Sequence, residues 1–172
     1  SISSNSVTGI AEDREGTIWI STLGGGLNRY NTADGSFFAL YASGEKSVSP
    51  LSNDIYTTFL DRDGILWLGY ENALGTFNPK TGKFSHYTSE TEDLPSLGPV
   101  RQFDQSSDGT IWAATEEGGL LEISSASERI VSHRQNQSAP DSIASDKLAS
   151  VLVDSQDRIW AGSKSAGITV ID

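Results

Sequence analysis

Four tryptophans, Trp19, Trp67, Trp112 and Trp160, recur at spacings of 48, 45 and 48 residues. Each closes a near-copy of one phrase: EDREGTIWIST, LDRDGILWLGY, QSSDGTIWAAT and DSQDRIWAGS. A phrase repeated at this period makes the chain a tandem array, in which each unit buries its apolar surface only against its neighbours.

Aligned on tryptophan, each copy holds short segments rich in β-branched and aromatic residues, bounded by Gly, Asp, Asn and Ser. The first segment is VTGIAE from Val7, IYTTFL from Ile55, VRQFDQ from Val100 and LASVLV from Leu148. The second contains the tryptophan. The third is GLNRYN from Gly26, ALGTFN from Ala73, GLLEIS from Gly119 and GITVID from Gly167. A fourth occurs three times, as FFALY from Phe37, FSHY from Phe84 and RIVSHR from Arg129. This is strand and turn chemistry, and no segment carries a helical periodicity of ten residues.

The turn before each tryptophan carries Gly16, Gly64 and Gly109, with Asp157 in the fourth copy. Glycine takes positive φ without steric cost, and aspartate is among the few other residues that tolerate it. Between copies runs a connector whose Ile2, Leu51, Leu97 and Ile143 read as buried pegs in a polar stretch. Four antiparallel strands in about 45 residues is the period of a β-propeller blade. The chain is therefore expected to be all-β, a partial propeller array of about four blades within one domain, residues 1–172. Its repeats run over 1–54, 55–99, 100–147 and 148–172, three complete and the fourth lacking its outermost strand. Each tryptophan is expected to pack between blades as the structural core of its repeat. Open strand edges and an open blade face would then be covered by further blades of a longer parent, or by a second chain.

Composition narrows the partners. A formal charge of -11 with no basic run opposes nucleic acid and anionic membrane surfaces. Cysteine is absent, which removes disulfides and thiolate metal sites. No apolar run approaches the roughly 18 residues of a membrane span, so no membrane contact by this segment is expected. Methionine is absent even at position 1, and SISSNS has no leader character, so the chain reads as part of a longer protein.

Motifs for chemistry are few. Asp61-Arg62-Asp63-Gly64 resembles the start of a calcium loop, but an EF-hand would need an oxygen ligand where Ile65 stands. Aspartates bonding nearby backbone amides in turns explain the acidic phrases better. His86 and His133 both fall on fourth strands, far from any propeller centre, and Gly24-Gly25-Gly26 precedes a strand, not a phosphate-binding helix. No catalytic residues, metal or cofactor are expected. In a propeller the connectors and the loops between second and third strands share one face. That face gives a candidate ligand-binding set of Asn53, Asp54, Tyr56, Tyr70, Glu71, Asn72, Arg101, Glu116, Glu117 and Lys164. Aromatics with amides and carboxylates suit sugar hydroxyls.

The signature separates propeller families. The aspartate that a sialidase Asp-box places five residues before the aromatic is replaced here by Arg14, Arg62, Ser107 and Gln156. WD dipeptides are absent, and the double glycines Gly24-Gly25 and Gly118-Gly119 lack kelch spacing. Over nearly its whole length the chain resembles the two-component regulator propeller repeat, best in NDIYTTFLDRDGILWLGY at 53–70 and VTGIAEDREGTIWISTLGGGLNRYN at 7–31. The second copy departs from the pattern with Ala73-Leu74 and one residue fewer before Phe77. The resemblance implies a periplasmic, non-catalytic sensor region of a bacterial membrane receptor with a histidine kinase or diguanylate cyclase output. It also implies an oligosaccharide or other small molecule as ligand. Two alternatives stand beside it, a propeller lyase like the streptogramin-inactivating enzymes and a protein-interaction scaffold.

Overall fold

A computed structural model describes residues 1–89, 94–124, 129–139 and 141–172. Among them every regular element is a strand. The chain divides into two compact units, Ser1–Tyr87 and Thr88–Asp172.

The first unit holds two four-stranded antiparallel sheets in sequence order. Blade 1 comprises β1 (Val7–Glu12), β2 (Ile18–Thr22), β3 (Leu27–Tyr30) and β4 (Phe37–Leu40). Blade 2 comprises β5 (Thr57–Leu60), β6 (Leu66–Gly69), β7 (Ala73–Asn78) and β8 (Lys83–Thr88), whose last residue belongs to the second unit. The second unit repeats the plan. Blade 3 comprises β9 (Val100–Gln105), β10 (Ile111–Thr115), β11 (Leu120–Ser124) and β12 (Arg129–His133). Blade 4 has β13 (Leu148–Val153), β14 (Ile159–Ser163) and β15 (Ile168–Ile171), three strands as its shorter copy predicts.

Register places each tryptophan on one face of its sheet. Trp19 lies between Ala11 and Arg29, Trp67 between Phe59 and Thr76, Trp112 between Asp104 and Glu122, and Trp160 between Leu152 and Val170. Because strand side chains alternate, the residues flanking each tryptophan face the other way. In the first unit Trp19 and Leu27 of blade 1 pack against Leu66, Leu68, Phe77 and Phe84 of blade 2. The indole meets Phe77 edge-on at 5.0 Å, and Phe77 in turn lies 4.5 Å from Phe84. In the second unit Trp112, Ala114 and Leu120 pack against Leu148, Val151, Ile159 and Ala161. Burying about 200 Å² of indole is worth roughly 5 kcal/mol before entropy, so these seams hold each unit together.

A polar bond fixes each indole. Trp19 Nε1 donates to Asp13 Oδ2, Trp67 Nε1 to Asp61 Oδ2 and Trp160 Nε1 to Asp154 Oδ2, each at 2.9 Å. The other oxygen of the carboxylate caps the turn: Asp13 Oδ1 accepts from Glu15 N and Thr17 N, and Asp61 Oδ1 from Asp63 N and Ile65 N. In blade 3 a hydroxyl replaces the carboxylate, Ser106 Oγ accepting from Trp112 Nε1 at 2.7 Å. The turns close over Gly16, Gly64, Gly109 and Asp157, all at positive φ.

The connectors are part of the fold. Leu97 and Ile143 are fully buried, while Ile2 and Leu51 are half-buried. Ser3 N donates to Asn28 Oδ1 and Ala144 N to Thr169 Oγ1, which ties the connectors before blades 1 and 4 to the third strands of those blades. One boundary differs from expectation. The first strand of blade 2 begins at Thr57 because Ile55 N donates to Thr22 O at the end of β2, which turns the segment from Ile55 into a seam between blades.

Two outcomes follow. Trp112→Ala costs about 3–5 kcal/mol in chemical denaturation, since the seam around it cannot collapse onto an alanine; an unchanged denaturation midpoint would refute its place in the core. Burial pushes the Asp13 carboxyl up, but the bonds from Trp19, Thr17 and Glu15 outweigh it and hold it below the usual value. A depressed folded pKa stabilises above the unfolded value near 4 and is lost as pH falls through it. The stability gap between the parent and Asp13→Asn should therefore be widest at pH 6 and shrink towards pH 3 in urea titrations.

Candidate functional site

In each unit the connectors adjoin the loops between second and third strands through backbone bonds. In the first unit Gly26 N donates to Asn53 O and Leu23 N to Ser6 O; in the second Gly119 N donates to Asp146 O and Lys164 N to Lys147 O. The loops are tight: Thr22 N and Thr115 N bond the carbonyls four residues on, and the Thr22 and Thr115 hydroxyls donate to the same oxygens. Gly26 has φ +68 and a Cβ there would collide with Leu40 O, so no other residue fits the joint between loop and outer strand.

Of the candidates in the first unit, several are already engaged. Asn53 Oδ1 accepts from Ala42 N at 2.8 Å and Asp54 Oδ1 from Gly24 N at 2.7 Å, so both side chains fasten backbone. Tyr70 corrects an expectation. It is 1% exposed, packed in the seam beside His86, and its oxygen accepts from Leu51 N at 3.3 Å. Burial drives its phenol up, against the opposing Leu51 amide. A ring enclosed in this way offers no stacking face to a ligand. The cause is local: blade 2 has tyrosine where blades 1 and 3 have Thr22 and Thr115, and its loop is one residue shorter. Tyr70 N therefore bonds Ala73 O, with Asn72 at φ 58 completing the turn. Gly75 leaves the space the ring occupies, since a Cβ there would stand 2.9 Å from Tyr70 Cε2. Glu71 and Asn72 are exposed on this loop and Tyr56 is half-buried on the connector.

The second unit gathers its candidates. Arg101 Nε donates to Glu116 Oε1 at 2.7 Å, the Arg101 guanidinium adds a second bond to the same oxygen, and Lys164 Nζ donates there too. The side chains of Arg101 and Lys164 keep 36% and 47% of their exposure, so both cations stay within reach of solvent. The Lys164 bond leads in holding the Glu116 carboxyl below its usual range, against slight burial and with help from Arg101. Glu117 lies beside this group, exposed, its carboxylate accepting from Ser96 Oγ and its carbonyl from Arg134. Arg134 also pairs with Asp146 at 2.7 Å, and Asp146 accepts from Gln135 N. The result is a fixed polar patch with two cations arranged on one carboxylate.

Elsewhere the acidic turns spend their oxygens on the fold. Both oxygens of Asp61 are taken by Asp63 N, Ile65 N and the Trp67 indole, which is the turn role expected for that phrase. The aspartate six residues before the tryptophan was legible in three of the four copies, yet its indole bond was not anticipated. His86 lies on β8 with Nε2 2.9 Å from Lys46 O, and His133 on β12 with Nε2 2.8 Å from Glu122. His133 and Glu122 border a hollow of about 380 Å³ in the second unit that is also lined by Trp112, Asp157 and Ile171.

Comparison with known proteins agrees with this architecture. The family described as two component regulator propeller matches residues 1–24 and 49–72. Histidine kinase P4 of Formosa agariphila is 31% identical over 173 residues, spanning 99% of this chain and 12% of that protein. The chain thus covers about an eighth of this relative's length. Among solved structures, the extracellular domain of a hybrid two-component system from B. thetaiotaomicron superposes with a TM-score of 0.82 at 22% identity, over 99% of this chain and 24% of that one. A catalytically inactive virginiamycin B lyase from Staphylococcus aureus gives 0.68 at 17% identity, over 97% and 55%. At such identities the two structures share the fold with this chain. The family match on two of the repeat phrases, with a likeness to the kinase relative along the whole chain, identifies two-component regulator propeller repeats in this chain.

Proposed function

We propose that this chain is an extracytoplasmic, non-catalytic sensing segment of a bacterial membrane signalling receptor, and that it binds an oligosaccharide at the patch formed by Arg101, Glu116, Glu117 and Lys164. The regulator-propeller repeats and the likeness to a histidine kinase support the signalling role. The observation that carries the site is that two half-exposed cations converge on the single Glu116 carboxylate. Such a group presents donors and acceptors to hydroxyls in fixed positions, which lowers the ordering cost of binding. Two histidines on fourth strands, each already bonded to a carbonyl or carboxylate, support a binding role over a lyase.

A receptor of this kind needs no chemistry at the propeller. A ligand that binds one arrangement of receptor chains better than another shifts their populations by that difference in affinity. Histidine kinase or diguanylate cyclase output, on this reading, belongs to the rest of the protein.

The test is calorimetry of the purified chain against a panel of neutral and acidic oligosaccharides. Arg101→Ala and Glu116→Ala should each weaken binding at least about tenfold, the loss expected for removing a charged hydrogen-bond partner. Tyr70→Phe, in the core, should leave affinity unchanged. Unaltered affinity in both patch variants would move the site elsewhere.

A further inference from the structure

The patch of the second unit is built on repeat positions that the fold brings together. The pairing of β9 with β10 slips between Ala114 and Thr115, so Arg101 is the extra residue of a β-bulge, and a bulge re-aims the side chain it carries. The same slip leaves Thr8 as the extra residue in blade 1 and Ala149 in blade 4. Glu116 and Lys164 hold one repeat position, four residues after the tryptophan, in blades 3 and 4. Backbone bonds set both: Glu116 N donates to Pro99 O and Lys164 N to Lys147 O. At the seam of the first unit the corresponding residues are Thr8, Leu23 and Glu71, with no cation among them, and that seam packs all the same. The fold therefore does not need Arg101 and Lys164 where they stand, and half-exposed ion pairs add little stability.

Their charge is unbalanced, because two cations share one carboxylate. Around them the charges cancel: Arg134 pairs with Asp146, and exposed Lys147 offsets exposed Glu117. The surplus is local, in a chain of formal charge -11. At physiological salt charges are screened beyond about 8 Å, so a ligand seated here meets the surplus cation and little of the distant carboxylates. None of these side chains is aromatic. The patch thus offers a sugar ring no stacking platform and recognises through charge and hydrogen bonds. A lysine ammonium has three N–H donors, and Lys164 directs one at Glu116.

We infer that the sugar bound here is acidic, a uronic acid residue whose carboxylate sits on Lys164 and Arg101 beside Glu116. Glu116 is then a positioning residue that holds the two cations in place. Arginine and lysine already grip one carboxylate in this geometry, that of Glu116, so a second planar carboxylate meets donors suited to it. This rests on the sensing role and the patch proposed above and adds the charge of the ligand.

Calorimetry of the whole chain against oligouronides and their carboxyl-reduced, neutral counterparts tests it. The acidic form should bind at least about tenfold more tightly than its reduced partner, the difference expected for one charged hydrogen bond. Lys164→Gln should erase that preference and Lys164→Arg should keep it. Lys80→Gln, an equal change of charge at an exposed position of the first unit, should leave it intact. Reduced sugars that bind as tightly as the acids overturn the acidic ligand; if their affinity still falls in Arg101→Ala, the patch itself stands as the binding site. A preference that survives Lys164→Gln, or is lost equally in Lys80→Gln, overturns the seat on Lys164. Binding of neither kind of sugar overturns this inference and the proposed site together.

Discussion

Each blade depends on where its indole is held. A tryptophan buried between sheets must satisfy its N–H, and a partner six residues earlier does so from the turn that precedes the strand. That bond couples a local event, the closing of a turn, to the packing of one blade on the next. Where the partner is aspartate, its second oxygen binds the turn's own amides, so turn, strand and seam are set together. The ring contacts then follow: Trp19 stands edge-on to Phe77, and Trp67 lies parallel to Tyr87 at 6.0 Å.

Around these seams the polar residues of the connectors serve the backbone. Asn53 and Asp146 occupy matching places, each accepting from a glycine amide through its carbonyl and from the residues after the outer strand through its side chain. Loops held in this way can present side chains without ordering anew on binding. The Arg101–Glu116–Lys164 group rests on that frame in the second unit.

The period of the tryptophans, the strand phrases and the turn residues were all legible, down to Asp157 taking the positive φ of its glycine counterparts. Those features are local, so a repeat displays them directly. Tyr70 was misread for a different reason. Its place at a loop suggested exposure, whereas a shortened turn and the space above Gly75 bring the ring inside. Such an outcome depends on contacts between strands that no single segment contains. Asn53 and Asp54 show the same limit, since sequence reveals a polar side chain but not that a backbone amide already holds it. In contrast Arg101 and Lys164 both pair with Glu116, three side chains from separate segments of the second unit.

Ser106 gives this array an uneven response to acid. Asp13 and Asp154 hold their indoles with carboxylates whose acidity is strengthened by the fold. A hydroxyl does the same task at Trp112, and it has no proton to gain over that range. Under acid, the turns of blades 1 and 4 lose their anchoring charge while the blade 3 joint keeps its bond. Loosening in such a protein would start at chosen joints and spare another, giving the array a built-in order of failure.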